Sequence, residues 1–300
     1  MDEDGRGSDR GLAFGVSAYL LWGLLPLYWK LLEELPAGEI LAHRIVWSAL
    51  FCVVVLALTG RLRHLAHLPA RQWRLLAVAA LLISANWYVY IWAATHGHVV
   101  DASLGYFINP LLTVVLGVVV RREHLRRLQW VAVAVAGVGV GLLAILTGTV
   151  PWVALVLAAT FAAYGLVKSS VQVAALEGLA IETLLMVLPA LAWLLVGTGD
   201  GLLPDQPSLA VLAVLAGPVT AVPLLLFAGA ARRLPLSTLG FLQYLAPTLQ
   251  FLIGVVVFGE AFGVGRIVGF ALIWLALATF LVDQGRHRRP RTRAVSQPIG

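Results

Sequence analysis

Tyr106, Asn109 and Thr113 follow i, i+3, i+7 spacing around Pro110 in the stretch SLGYFINPLLTVVLGVVVRRE (103–123). Gln243, Tyr244 and Gln250 surround Pro247 in STLGFLQYLAPTLQFLIGVVVFGE (237–260), where Gln243 and Gln250 are equivalent to Tyr106 and Thr113. These are hydrogen-bonding side chains set in runs that are otherwise apolar, and each proline deletes a helical hydrogen bond beside them. Pro110 leaves the Tyr106 carbonyl without its usual donor, and Pro247 does the same to Gln243. In hydrocarbon an unsatisfied backbone group is expensive, so such interruptions persist where water, protein or ligand can reach them. The pattern predicts two kinked helices that line one polar cavity for a small-molecule substrate, with Pro110 and Pro247 as hinges. The plainer alternative is a pair of structural kinks whose polar groups bond only to neighbouring helices.

Asn86 and Tyr90 add an i, i+4 pair within another apolar run, and aromatic rings there suit a flat or cationic ligand. Trp22 is a third polar-tipped residue far from a helix end. The neighbouring Tyr28, Trp29 and Trp47 read more simply as interface anchors or core packing. Arg44, beside His43, is the most conspicuous charge, because a cation at a helix centre costs roughly 3 kcal/mol on insertion scales and usually has a partner. Glu39 and Asp101 are the carboxylates on its side. Two readings stand: an anion-binding or gating residue, or a side chain that snorkels to the headgroups. His43, or less plausibly Glu182, could carry a coupling proton. Glu123 and Glu260 close their spans and are expected to pair with nearby arginines.

The elements that must position these residues are set by composition. Hydrophobic residues make up 60% of the 300-residue chain and charged ones 12%, with a mean hydropathy of +0.91. Soluble domains are far more polar, so this is an integral membrane protein. Windows of about 19 residues predict ten spans, near 11–29, 39–59, 75–95, 102–120, 128–147, 150–167, 181–199, 208–230, 236–258 and 264–282. The connections are short and leave no room for a soluble catalytic domain. Residues 1–10 are polar and acidic, unlike a secretory signal, so the first run is read as a retained helix. The lone Cys52 cannot form an intrachain disulfide and reads as a small buried residue.

Charge then orients the chain. Of 21 Lys and Arg residues, 18 fall in alternate loops and tails, leaving Lys30, Arg44 and Arg266. Positive loops stay cytoplasmic, so both termini are expected there. The basic tail at 284–300 reads as a topology anchor that touches anionic lipid. Nucleic acid is a poor fit, because no aromatic platform or folded module accompanies the tail.

The chain also repeats itself. An offset of 137 residues that aligns Pro110 with Pro247 also superposes Gly117–Val120 on Gly254–Val257, Ala93-Ala94 on Ala230-Ala231, and Glu123 on Glu260. One residue further, Lys30 meets Lys168 and Arg44 meets Glu182. Two five-span halves, at 11–147 and 148–283, follow. Five is odd, so the second half must cross the membrane in the opposite direction. Inverted repeats are a recurrent plan of secondary transporters.

The loop pairs His96-x-His98 and His64-x-x-His67 lack the further ligands of a metal site. Gly-x-Ser-x-Gly, HExxH and GxxxxGK[ST] are all missing, which disfavours enzymatic and ATP-driven readings and implies no cofactor. The stretches ASLGYFINPLLTVVLGVVVRREHL with QW at 129–130, LSTLGFLQYLAPTLQFLIGVVVFGE, and FAAYGLVK at 161–168 closely resemble the RarD-type chloramphenicol-sensitivity permeases. These form part of the EamA branch of the drug/metabolite transporter superfamily, and the resemblance covers essentially residues 11–283. It implies an all-α protein of a bacterial inner membrane, with ten helices in two inverted five-helix repeats, that moves small molecules, often outward. It supplies no list of substrate contacts. The sequence thus predicts a permease working by alternating access. An intramembrane lipid enzyme and a non-transporting sensor or assembly factor are the rivals.

Overall fold

The computed structural model describes residues 2–122, 125–197, 202–234, 238–239 and 242–286. The apolar runs form helices because only a helix satisfies every backbone group within its own segment. In chain order these are α1 (Asp2–Lys30), α2 (Ala37–Leu58), α3 (Ala70–Thr95), α4 (Val99–Arg121) and α5 (Arg127–Thr147). They continue with α6 (Trp152–Lys168), α7 (Ala175–Ala192), α8 (Pro207–Ala231), α9 (Leu245–Leu252) and α10 (Val264–Arg286). Five-residue π-helical segments extend α7 through Trp193–Gly197 and α9 through Ile253–Val257. Prolines stand just before α2, α3 and α6, where a missing N–H costs nothing. A short loop, with Gly97 in the left-handed region at φ 74°, turns the chain from α3 into α4.

Among the described residues, eight helices are long and apolar enough to cross a membrane; Trp152–Lys168 and Leu245–Val257 are apolar but shorter. The sixth and ninth predicted spans fall on these two. The outer faces carry large apolar side chains, with Leu188, Ile145 and Val196 78%, 77% and 84% exposed. Such a surface suits lipid, not water.

Helices approach closely where side chains vanish. A Cβ on Gly217 of α8 would stand 2.4 Å from the Trp47 carbonyl oxygen of α2, and one on Gly105 of α4 would stand 2.8 Å from that of Ala154 in α6. Small residues at such crossings are how membrane helices gain packing without a hydrophobic drive between them. The broadest contacts join α5 to α10, α4 to α6, α2 to α7 and α8, α3 to α6, and α1 to α8 and α9. Helices α4 and α9, which carry the two prolines, also pack on one another.

The prolines act differently. Helix α4 runs unbroken through Pro110. At the second site the chain turns at Gln243–Tyr244 and the helix restarts at Leu245. The break falls on the residue whose carbonyl Pro247 leaves without a donor. Pro247 then lies in the first turn of α9, where backbone N–H groups have no helical acceptor in any case.

Candidate functional site

Helix α2 carries Arg44 into the bundle, where the residue is only 4% exposed. Its guanidinium carbon lies 3.9 Å from the centroid of the Trp87 ring on α3 and 5.0 Å from that of Trp29 on α1. This cage overturns snorkelling to the headgroups, since a snorkelling arginine keeps its head in water. Both expected carboxylates make other contacts. Asp101 is bound by Arg266 at 3.3 Å and by His98 at 3.0 Å, while Glu39 lies 3.8 Å from His43. Arg44 Nε and Nη1 are buried with no hydrogen-bond partner. Cation–π attraction is worth up to about 2 kcal/mol when desolvated, so the indoles offset only part of the cost of burying this charge.

Other polar groups gather around the guanidinium. Tyr28, Tyr90 and Tyr106, from α1, α3 and α4, stand close enough to feel its charge. The Tyr90 hydroxyl also lies beside Gln250 of α9. Gln250 Nε2 donates to the Trp22 carbonyl at 3.2 Å, but Gln250 Oε1 and Tyr90 Oη are buried and unpartnered. Asn86 is pinned by its Nδ2, which donates to the Leu157 carbonyl at 3.0 Å and to Thr160 Oγ1 at 2.9 Å. The rings of Tyr90 and Tyr106 meet edge to face at 5.7 Å, and the Tyr106 hydroxyl reaches Asn86 Oδ1 at 3.5 Å. The predicted residues Asn86, Tyr90, Tyr106, Gln250 and, through its carbonyl, Trp22 are thus brought together with Arg44.

Other predicted residues lie elsewhere. Thr113 is exposed, and its hydroxyl turns back to the Asn109 carbonyl at 2.9 Å. Asn109 Oδ1 is buried and unpartnered, one turn along α4 from Tyr106. Tyr244 lines a separate, open, mostly apolar groove of about 500 Å³ between α4, α9 and α10, together with Phe107, Phe251 and Trp274. Gln243, at the turn before α9, is half-buried. His43 accepts from Trp47 Nε1 at 3.3 Å, and its own Nε2 is unpartnered.

Glu182 of α7 is 1% exposed and forms its own cluster, accepting from Lys168 Nζ at 2.7 Å and Tyr164 Oη at 3.1 Å. Glu260 departs from expectation. Its carboxylate takes the Val99 and Val100 amides at 2.6 and 2.9 Å. It therefore caps the N-terminus of α4, where free N–H groups and the helix dipole favour an anion, while Arg266 goes to Asp101. Glu123 lies outside the described residues.

Sequence reasoning missed Trp29 and Trp87 as partners of the arginine. Trp87 stands three residues before Tyr90 and so shares its face, a usable signal; Trp29, one residue before the end of α1, resembles an interface anchor.

An all-helical bundle with lipid-compatible outer faces is a multi-pass membrane protein, and the unpaired polar groups held inside it are a candidate site. Residues 9–145 match the EamA-like transporter family. The chain is 50% identical to an uncharacterized transporter of Pseudomonas aeruginosa, over 93% of this chain and 96% of that one. It is 49% identical to Protein RarD of Streptomyces exfoliatus over 95% and 91% of the two chains, and 44% identical to Protein RarD of Escherichia coli K12 over 93% and 96%. A solved crystal structure covering 93% of this chain and 99% of its own shares the fold, with a TM-score of 0.59 at 22% identity. The chain belongs to the EamA-like transporter family, as a RarD-type member.

Proposed function

We propose that this protein is a secondary transporter, moving small metabolites or drugs outward by alternating access between two inverted five-helix repeats. The observation that carries the reading is the set of unpartnered, buried polar atoms on Arg44, Tyr90 and Gln250, where helices of the first half meet α9 of the second. Buried polar groups are costly when unpaired, and in a membrane they mark substrate or ion paths. The packing supports the repeat. Exchanging each helix with the one five places away turns the α4–α6 contact into α9–α1 and α3–α6 into α8–α1, and maps α2–α7, α4–α9 and α5–α10 onto themselves.

In this reading Asn86, Tyr90, Tyr106, Asn109 and Gln250 contact substrate, with Trp22, Thr113, Gln243 and Tyr244 joining as the cavity opens. Pro110 and Pro247 act as hinges, and Arg44, His43 and Glu182 take part in gating or proton coupling. The charge distribution puts both termini in the cytoplasm. Reconstitution in liposomes tests the reading: a carrier shows saturable counterflow of a substrate found by screening, whereas a sensor or assembly factor shows none. Asn109→Leu is expected to abolish that flux at unchanged protein level, and unchanged flux removes Asn109 from the site.

A further inference from the structure

We propose that the buried Arg44 cluster recognises the oxyanion of a small organic acid, so that this transporter's substrates include organic anions. The proposal deepens the transport reading and rests on it. A guanidinium is planar: its two faces attract aromatic rings, while its rim of N–H groups forms the in-plane fork that matches carboxylate or phosphate oxygens. In this protein Trp87 and Trp29 take up the cation–π attraction, at 3.9 and 5.0 Å. Part of the rim is unused, since Arg44 Nε and Nη1 are both buried without an acceptor. Among the described residues, Asp101 is committed to Arg266 and His98.

The surroundings suit an oxyanion and little else. Tyr90 supplies a buried hydroxyl beside the cation and close to Gln250, and Gln250 Oε1 is a buried acceptor without a partner, available to a donor elsewhere on the ligand. A cationic substrate would meet a fixed positive charge here, so the aromatic rings around Arg44 serve the arginine and not an ammonium ligand. The repeat-related position gives a contrast within the same chain. Glu182 is also buried, but Lys168 and Tyr164 already satisfy it. Only the arginine side is left open for a visitor.

A lipid phosphate offers the same chemistry, and the experiment separates the two sources. The protein is purified in a non-ionic detergent, and thermal unfolding is followed with acetate, benzoate or inorganic phosphate, each against a neutral or cationic isostere such as benzamide or benzylamine. The expected result is saturable stabilisation by at least one of the three anions and none by its isosteres. Arg44→Gln should abolish the effect, Tyr90→Phe should weaken the affinity by about tenfold to a hundredfold, the loss of one hydrogen bond to a charged group, and Arg44→Lys should retain part of it. The comparison of anion with isostere on the natural protein stands even if a variant misfolds. Stabilisation by none of the anions, or equally by their isosteres, overturns the proposal. So does stabilisation only by nanodiscs containing phosphatidylglycerol, which gives the rim to lipid. Binding is read without transport: anion binding without counterflow removes the carrier reading, and counterflow of other solutes without anion binding removes only this inference.

Discussion

Lys168 and Glu182 show what a buried charge looks like when the protein itself satisfies it. Glu182 is sealed, Lys168 is partly exposed, and Tyr164 completes the set. Removing one partner of such a pair leaves the other buried and uncompensated, at a cost of roughly 3–5 kcal/mol. Lys168→Met is therefore expected to lower the melting temperature sharply, and pairing it with Glu182→Leu should restore much of the loss. A double variant no more stable than Lys168→Met alone would show that the pair is not the coupled unit described here. The sequence made Glu182 and Arg44 conspicuous because charges in apolar runs are rare. It did not reveal which of them had a partner. Asn86, Tyr90 and Gln250 could be found by the same rarity, and Trp87 by sharing a face with Tyr90, whereas Trp29 could not, because a tryptophan near a helix end serves lipid, core or ligand equally well until its neighbours are known.

Elements were legible where length and apolarity agree, and less so where local chemistry divides them. The two proline stretches align without a gap, yet α4 continues through Pro110 while the chain turns ahead of Pro247. Sequence fixes where a hydrogen bond is lost; packing decides whether the helix bends or restarts. Glu260 makes the same point. Read from its position it pairs with an arginine, but the fold sets it under the first turn of α4, some 160 residues away in the chain. Caps of this kind contribute about 0.5–2 kcal/mol. Glu260→Ala should destabilise the protein by an amount in that range, while Glu260→Gln, which can still accept from one amide, should cost less. Chemical denaturation in detergent checks the order, and equal losses would argue against capping.

Across the whole molecule, orientation came from charge alone and the bundle from packing, and each can be tested against the other. Cys52 is fully buried, so the natural chain offers no accessible thiol among its described residues. With Glu34→Cys and Arg71→Cys introduced separately at exposed positions, an impermeant maleimide should label the first in intact cells and the second only after the membrane is opened. The reverse pattern would invert the topology and place Arg44 toward the cytoplasm. The offset of the prolines suggested two related halves, but which helices pack on which was not legible, because residue spacing within one helix says nothing of its neighbours. The burial of Arg44 among aromatic rings was not legible either, since it leaves no trace in residue spacing.

The stacking of Arg44 on two indoles also makes the protein its own optical probe. Two of its ten tryptophans, Trp29 and Trp87, sit against a cation. Any visitor that draws the guanidinium off those rings should change their emission, so occupancy could be followed by ultraviolet light on the unmodified chain, in real time and without a dye.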